Sequence, residues 1–384
     1  MAVVAGLVAC ASAPSKPPPG PSEVEIRAFA AKGYAAVAVD QAVVHTRLQR
    51  WMLQGESMQV ALGMPVLAAP VPVVMYLPSL GETSEAGERW RDGWAQAGYA
   101  VISVQLSDPM NDESPALVKK AYSAESMGHR LLRLMAVVRE AQHRAALGES
   151  DWVQLDWSRV AVAGFDLGAY TALALAGENI PGLEAVRTSM AAAEPAPFKL
   201  RAAIALSPYA SLFAGSFEHQ RFAAIQVPVL SVSSDTDTDP LGLVEGISLR
   251  RLPFDHLGGT EHQWLNFKSL PHPWLSGTAA NAKVMPLAAQ GREVSDHAGS
   301  IESPGKQRRR ISSGHERGRR ETGEDRVDRS SVSSEGALTL RLTAAQGITT
   351  AFLDAHVKGD ALAREWLATD APHWLGGLGE LRHK

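Results

Sequence analysis

One stretch, Ser158-Arg-Val-Ala-Val-Ala-Gly-Phe-Asp-Leu-Gly-Ala-Tyr-Thr-Ala172, constrains this chain more than any other. A short apolar run leads into two glycines with three residues between them, and an alanine-rich run follows. This predicts a strand, a sharp turn and a helix in immediate succession. Gly164 and Gly168 allow the turn to be tight and let strand and helix approach each other. The residue at the tip is Asp166, so the bend presents a carboxylate.

Further strands are expected at Val71–Leu77, Tyr99–Val104, Ala202–Leu206, Val227–Val232 and finally His262–Phe267, with a weaker element around Ala35–Val39. A helix over Arg89–Gly98 carries Trp90 and Trp94 at i, i+4. Leu131, Leu134, Met135 and Val138 mark an amphipathic helix. Nearly all-apolar strands alternating with helices predict an α/β fold whose mostly parallel sheet is covered on both faces. Ligands in such folds sit at the carboxyl ends of the strands, where each candidate residue below also falls.

At 384 residues, 45% of them hydrophobic, the chain can bury a large core. Its net charge of −4 gives no reason to expect nucleic acid as a partner. No apolar run is long enough to span a bilayer as a helix. Residues 1–22 read as a signal and tether. Leu7-Val8-Ala9-Cys10 precedes Pro14-Ser-Lys-Pro-Pro-Pro-Gly-Pro-Ser22 and resembles the lipobox of bacterial lipoproteins. That resemblance implies lipidation at Cys10 and a membrane-anchored place in the bacterial envelope, although the basic residues usual before such a segment are absent. Residues 23–280 form the expected main domain. Residues 281–335, rich in Ser, Gly, Arg and Glu, are expected to be a disordered charged insert. Residues 336–384 return a helical part with an apolar face at Ile348, Ala351, Phe352 and Ala355.

Six motifs then occur in order: Pro78-Ser-Leu-Gly81, Gly164-Phe-Asp-Leu-Gly168, Ala205-Leu-Ser-Pro208, Ser234–Val244, His272-Pro-Trp-Leu-Ser-Gly277 and Thr350-Ala-Phe-Leu-Asp354. Together they resemble the α/β-hydrolase superfamily, and within it the bacterial dienelactone-hydrolase and platelet-activating-factor-acetylhydrolase-like esterases. The resemblance implies a fold with little or no cap and an esterase acting on a small ester or lipid-like substrate, with no cofactor or metal. It places Asp166 where those enzymes carry serine, His272 as general base, Asp237 as the acid that orients it, and the backbone N–H groups of Leu80 and Leu167 as oxyanion donors. His262 and His256 are poorer bases. Ser79 is a poorer nucleophile candidate, because its loop in those enzymes supplies donors. Asp235, Asp237 and Asp239 also suggest a calcium loop, but the rest of that pattern is missing.

A carboxylate suits displacement at saturated carbon, as in haloalkane dehalogenases and epoxide hydrolases of this fold. Against that alternative stand Leu167 and the shortness of the stretch from Glu178 to Leu200. Another alternative is a catalytically silent envelope protein that binds a ligand or partner in the same cleft.

Overall fold

Val71–Leu77 is β3, a strand whose seven residues are all buried, as an interior strand covered on both faces requires. The computed structural model describes residues 20–34, 44–65, 70–106, 114–192, 198–209, 218–244, 246–278 and 329–384. Cys10, the proline tether up to Pro19, the element expected at Ala35–Val39 and the charged insert up to 328 lie outside the described residues.

A short helix, α1 (Glu23–Ala30), is capped by Ser22, whose hydroxyl accepts from the Glu25 N–H. The hairpin β1 (Val44–Leu53) and β2 (Glu56–Pro65) turns through Gln54 and Gly55, both at positive φ (53° and 83°) as a two-residue hairpin turn prefers. The sequence reading missed this hairpin. Leu48 and Met52 are exposed on one face of β1 while Trp51 is buried on the other, so apolar residues on both faces cancel the alternation.

Beyond β3 come α2 (Glu88–Gln96), β4 (Ala100–Val104), α3 (Pro115–Ala121), α4 (Ala124–Ala146), β5 (Leu155–Phe165), α5 (Leu167–Ala176) and α6 (Glu184–Ala191). They are followed by β6 (Leu200–Leu206), α7 (Glu218–Ala223), β7 (Val229–Ser234), α8 (Leu252–His256) and β8 (Gln263–Phe267). The chain closes with α9 (Arg329–Leu353), α10 (Ala361–Leu375) and β9 (Gly379–His383).

The nine strands form one sheet in the order β1-β2-β4-β3-β5-β6-β7-β8-β9. From β4 to β8 every pairing is parallel, while β1, β2 and β9 add antiparallel edges. The strand taken as final, at 262–267, is therefore followed by β9. This last segment, Gly-Glu-Leu-Arg-His, turns only Leu381 into the core, too weak an alternation to announce a strand.

Alternate residues of β3 feed two cores. Val74 and Tyr76 pack with Trp90 and Trp94 of α2, Ile348 and Phe352 of α9, and Leu367 and Leu375 of α10. Val71, Val73, Met75 and Leu77 pack with Leu134 and Val138 of α4, Ala172 and Leu173 of α5, and Phe222 of α7. The predicted Trp90–Trp94 pair is stacked at 5.9 Å, and both indole N–H groups are satisfied, by the Leu275 carbonyl and the Thr349 hydroxyl. Strand β4 lies on one side of β3 and β5 on the other, so the direction of winding reverses between β3 and β5. A crevice opens at the carboxyl ends of strands at such a reversal.

Candidate functional site

The crevice between β3 and β5 is closed by contacts that only glycine permits. A Cβ on Gly168 would lie 1.8 Å from the carbonyl oxygen of Leu77, and one on Gly164 would lie 2.3 Å from the Gly168 carbonyl carbon. Strand β5, helix α5 and the end of β3 therefore meet backbone to backbone. Asp166, between them, is forced to φ 50°, ψ −106°. A non-glycine residue there costs about 1–3 kcal/mol and persists only because the surroundings over-determine it. Its N–H donates to the Leu206 carbonyl at the end of β6, and its own carbonyl accepts from the Tyr170 N–H.

The Asp166 side chain is almost fully buried. Its Oδ2 accepts from the Ser79 hydroxyl and the Tyr122 hydroxyl, both at 2.8 Å. Burial and the neighbouring carboxylate push the Tyr122 phenol well above its ordinary pKa, so it remains a protonated donor. Tyr122 is held by Arg130, whose guanidinium donates to the Ala121 carbonyl and to Thr171 of α5. Ser79 is fixed from its other side, its N–H donating to the Glu82 carboxylate.

His272 and Asp237 come together as the sequence reading expected. The imidazole Nδ1 lies 2.7 Å from Asp237 Oδ1, which leaves Nε2 to face outward from the pair. Ser207 joins them, its hydroxyl 2.7 Å from the same carboxylate oxygen and 2.9 Å from Nδ1. The Phe165 ring packs on the imidazole with centroids 4.9 Å apart.

The three acids after β7 divide their tasks. Asp235 accepts from the Ser269 N–H, and Asp239 accepts from the N–H groups of Leu241, Leu243 and Val244. Only Asp237 turns to the histidine. Among the described residues, no cluster of three or more His, Cys, Asp or Glu could hold a metal. His262 is occupied elsewhere: its Nδ1 accepts from the Val229 N–H and its Nε2 faces the Gly258 carbonyl. His256 ends α8.

Asp166 makes its side-chain hydrogen bonds to Ser79 and Tyr122 rather than to His272. What links the two halves is Arg250, a residue the sequence reading did not single out. It is fully buried and donates from Nη1 to the carbonyls of Ser207 and Pro208, both at 3.1 Å. The same Nη1 lies 3.8 Å from Asp166 Oδ1, and Nε lies 3.7 Å from Asp237 Oδ2. Both distances exceed a hydrogen bond, and Arg250 Nε, Arg250 Nη2 and Asp237 Oδ2 make no hydrogen bond among the described residues. A guanidinium between two carboxylates, with donors and acceptor unspent, is an electrostatic hub rather than a closed ion pair.

An apolar wall borders this hub. Tyr122, Tyr170 and Tyr209 form a triangle with centroid separations of 4.5, 5.1 and 6.4 Å. Leu80 and Leu167, the expected oxyanion donors, belong to the same apolar cluster. Leu167 opens helix α5, where the first N–H groups have no intrahelical acceptor. Tyr122, Ser207 and Arg250 are the site residues that sequence reasoning missed. Ser207 had a signal, since it lies in the Ala205-Leu-Ser-Pro208 motif and adopts φ 50°. Tyr122 and Arg250 carry none.

No family model matches this chain, and no curated protein matches it in sequence. Among the described residues, no helix is long and apolar enough to cross a membrane.

Proposed function

We propose that this chain is a hydrolase of the α/β-hydrolase kind, acting on a small ester or lipid-like substrate through the Asp166 carboxylate. One observation carries the reading. A carboxylate is held in a strained conformation at the reversal point of the sheet, and a buried arginine stands between it and the aspartate that orients His272.

In the first step an Asp166 oxygen forms a bond to the electrophilic carbon while that carbon's bond to the leaving oxygen breaks. The leaving group takes up a proton from water. In the second step His272 Nε2 removes a proton from a water molecule, whose oxygen attacks the Asp166-linked intermediate. The carboxylate is expelled, and the imidazolium returns its proton to solvent. Asp237 stabilises the imidazolium, and the N–H groups of Leu80 and Leu167 serve the oxyanion. Attack at a carbonyl gives a mixed anhydride, whereas attack at saturated carbon gives a longer-lived alkyl ester. The tyrosine wall suits an apolar substrate body.

A specific observation favours a second reading, a silent scaffold that binds a ligand. Two hydroxyls already spend their hydrogen bonds on Asp166 Oδ2, which lowers its nucleophilicity. The purified protein is offered short aryl esters and, separately, haloalkanes and epoxides. Turnover lost in Asp166→Asn and in His272→Ala supports the hydrolase. An adduct trapped on Asp166 in His272→Ala identifies the covalent step by mass spectrometry. Turnover absent from the native protein and gained in Asp166→Ser supports the scaffold. The proposed location, a lipid anchor at Cys10 in the bacterial envelope, is tested by incorporation of labelled palmitate and its loss in Cys10→Ser.

A further inference from the structure

The two carboxylate oxygens of Asp166 are not equivalent. Oδ2 accepts from the hydroxyls of Ser79 and Tyr122, both at 2.8 Å. Oδ1 accepts no hydrogen bond among the described residues and, unlike Asp237 Oδ2, it is not sealed from solvent. Its nearest cation, Arg250 Nη1, stands off at 3.8 Å. Donors hold charge on the oxygen they touch and make it the weaker nucleophile, so bond formation falls to Oδ1.

That division gives Oδ2 a task in the second step. Once Oδ1 is bonded to the substrate, Oδ2 is the carbonyl oxygen of the ester or anhydride so formed. Water attacking Asp166 Cγ turns that carbonyl into an oxyanion, and the new charge develops on Oδ2, where two hydroxyl donors already stand.

Both donors are fixed before any substrate arrives. The Tyr122 ring packs against Tyr209 and Tyr170, with centroids 4.5 and 6.4 Å away. Ser79 is held through its N–H, which donates to the Glu82 carboxylate at 2.8 Å. Both residues are buried, so bulk water competes little for Oδ2. Preoriented donors in such a setting favour a developing charge without reorganising. They do not duplicate Leu80 and Leu167: the oxyanion of an ester's first step lies on the substrate's own carbonyl, and that of the second lies on Asp166.

We infer that, within the hydrolase reading on which this rests, the Ser79 and Tyr122 hydroxyls are the oxyanion donors of the second step. His272 Nε2 takes a proton from water, the water oxygen bonds to Cγ, and the Cγ–Oδ2 π pair moves onto Oδ2. When that pair returns, the Cγ–Oδ1 bond breaks. Oδ1 leaves with the substrate, as an alcohol that takes the imidazolium proton or as a carboxylate that leaves this proton to solvent. Asp166 keeps Oδ2 and the water oxygen, whose remaining proton passes to solvent.

The test resolves the two steps in single turnovers. The full chain, in excess, is mixed with p-nitrophenyl butyrate, bromohexane or styrene oxide, and the Asp166 adduct is followed by rapid quench and mass spectrometry. In Tyr122→Phe and in Ser79→Ala, adduct breakdown slows about 10²-fold. Adduct formation is unchanged or faster, because Oδ2 holds less of the charge. An unchanged melting temperature checks the fold of each variant. In water enriched in the heavy oxygen isotope, one turnover of the native protein labels Asp166 and leaves the product unlabelled. Breakdown at the native rate in both variants overturns the inference. So do formation and breakdown slowed together, as a purely structural role requires, and label found only in the product; in each case an adduct on Asp166 leaves the hydrolase reading standing. No adduct and no turnover with any of the three substrates overturns the hydrolase reading, and the inference falls with it.

Discussion

Two buried aspartates, Asp166 and Asp354, each accept hydrogen bonds from hydroxyl groups, and they do opposite things. Asp354 sits in a one-turn π-helical segment (Asp354–Lys358) that follows α9. Its Oδ1 accepts from the Tyr99 hydroxyl and the Lys358 ammonium, both at 2.7 Å, and its Oδ2 accepts from Tyr34. It therefore joins the segment after α1, the residue before β4 and the end of α9 through a charge neutralised at contact distance. Asp166 occupies a strained backbone, its nearest cation stands at 3.8 Å, and unsatisfied atoms surround that cation. A carboxylate whose partners are all in contact holds a fold together, whereas one whose counter-charge stands off remains available for chemistry.

The largest effect that would break this contrast is catalytic. Asp166→Asn lowers turnover of a responsive substrate by about 10³-fold or more, roughly 4 kcal/mol of barrier, while the denaturation midpoint stays close to native. If the midpoint collapses as well, Asp166 is structural and the contrast fails. Asp354→Ala does the reverse. It leaves the buried Tyr99 hydroxyl and the part-buried Tyr34 hydroxyl without their acceptor and costs about 3 kcal/mol in urea unfolding, with turnover of the folded protein unchanged.

A smaller effect comes from pH. His356, in the same π-helical segment and packed on Phe352, has its pKa pushed down to about 4 by burial. Between that value and the ordinary 6.5, the unfolded chain binds the proton that the folded chain refuses. Stability therefore rises from pH 4 to 6.5 and falls as the solution is acidified, by up to about 3 kcal/mol. His356→Phe flattens this dependence in unfolding curves measured across the range. Smallest is the strain itself. Asp166→Gly relieves the unfavourable φ, offsetting the lost side-chain hydrogen bonds, and changes stability by about 1 kcal/mol or less in either direction. A loss above about 2 kcal/mol places Asp166 with Asp354.

Much of the architecture was legible beforehand, because covered parallel strands must be continuously apolar and that pattern is local. The runs at 71–77, 202–206 and 263–267 became strands, and the stretch around Gly164 and Gly168 became strand, turn and helix. The β1–β2 hairpin and β9 escaped, since edge strands bury one face at most and their apolar residues fall irregularly. At the candidate site, Asp166, Asp237 and His272 were singled out because each follows a strand in sequence order, and the structure brings Asp237 to His272. The preference for Asp237 over Asp235 and Asp239 now has a geometric basis, as the latter two serve backbone N–H groups.

By itself, then, the order of residues determined the layered class of this protein, the sharp bend at Gly164–Gly168 and the acid at its tip, because periodicity and steric freedom act over a few neighbours. Only the tertiary structure decided that Tyr122 and Ser79 would hold Asp166, and that Arg250 would stand between Asp166 and Asp237. Those partners lie tens of positions apart, and a buried charge finds its counterpart through packing in three dimensions, which leaves no periodic trace along the chain.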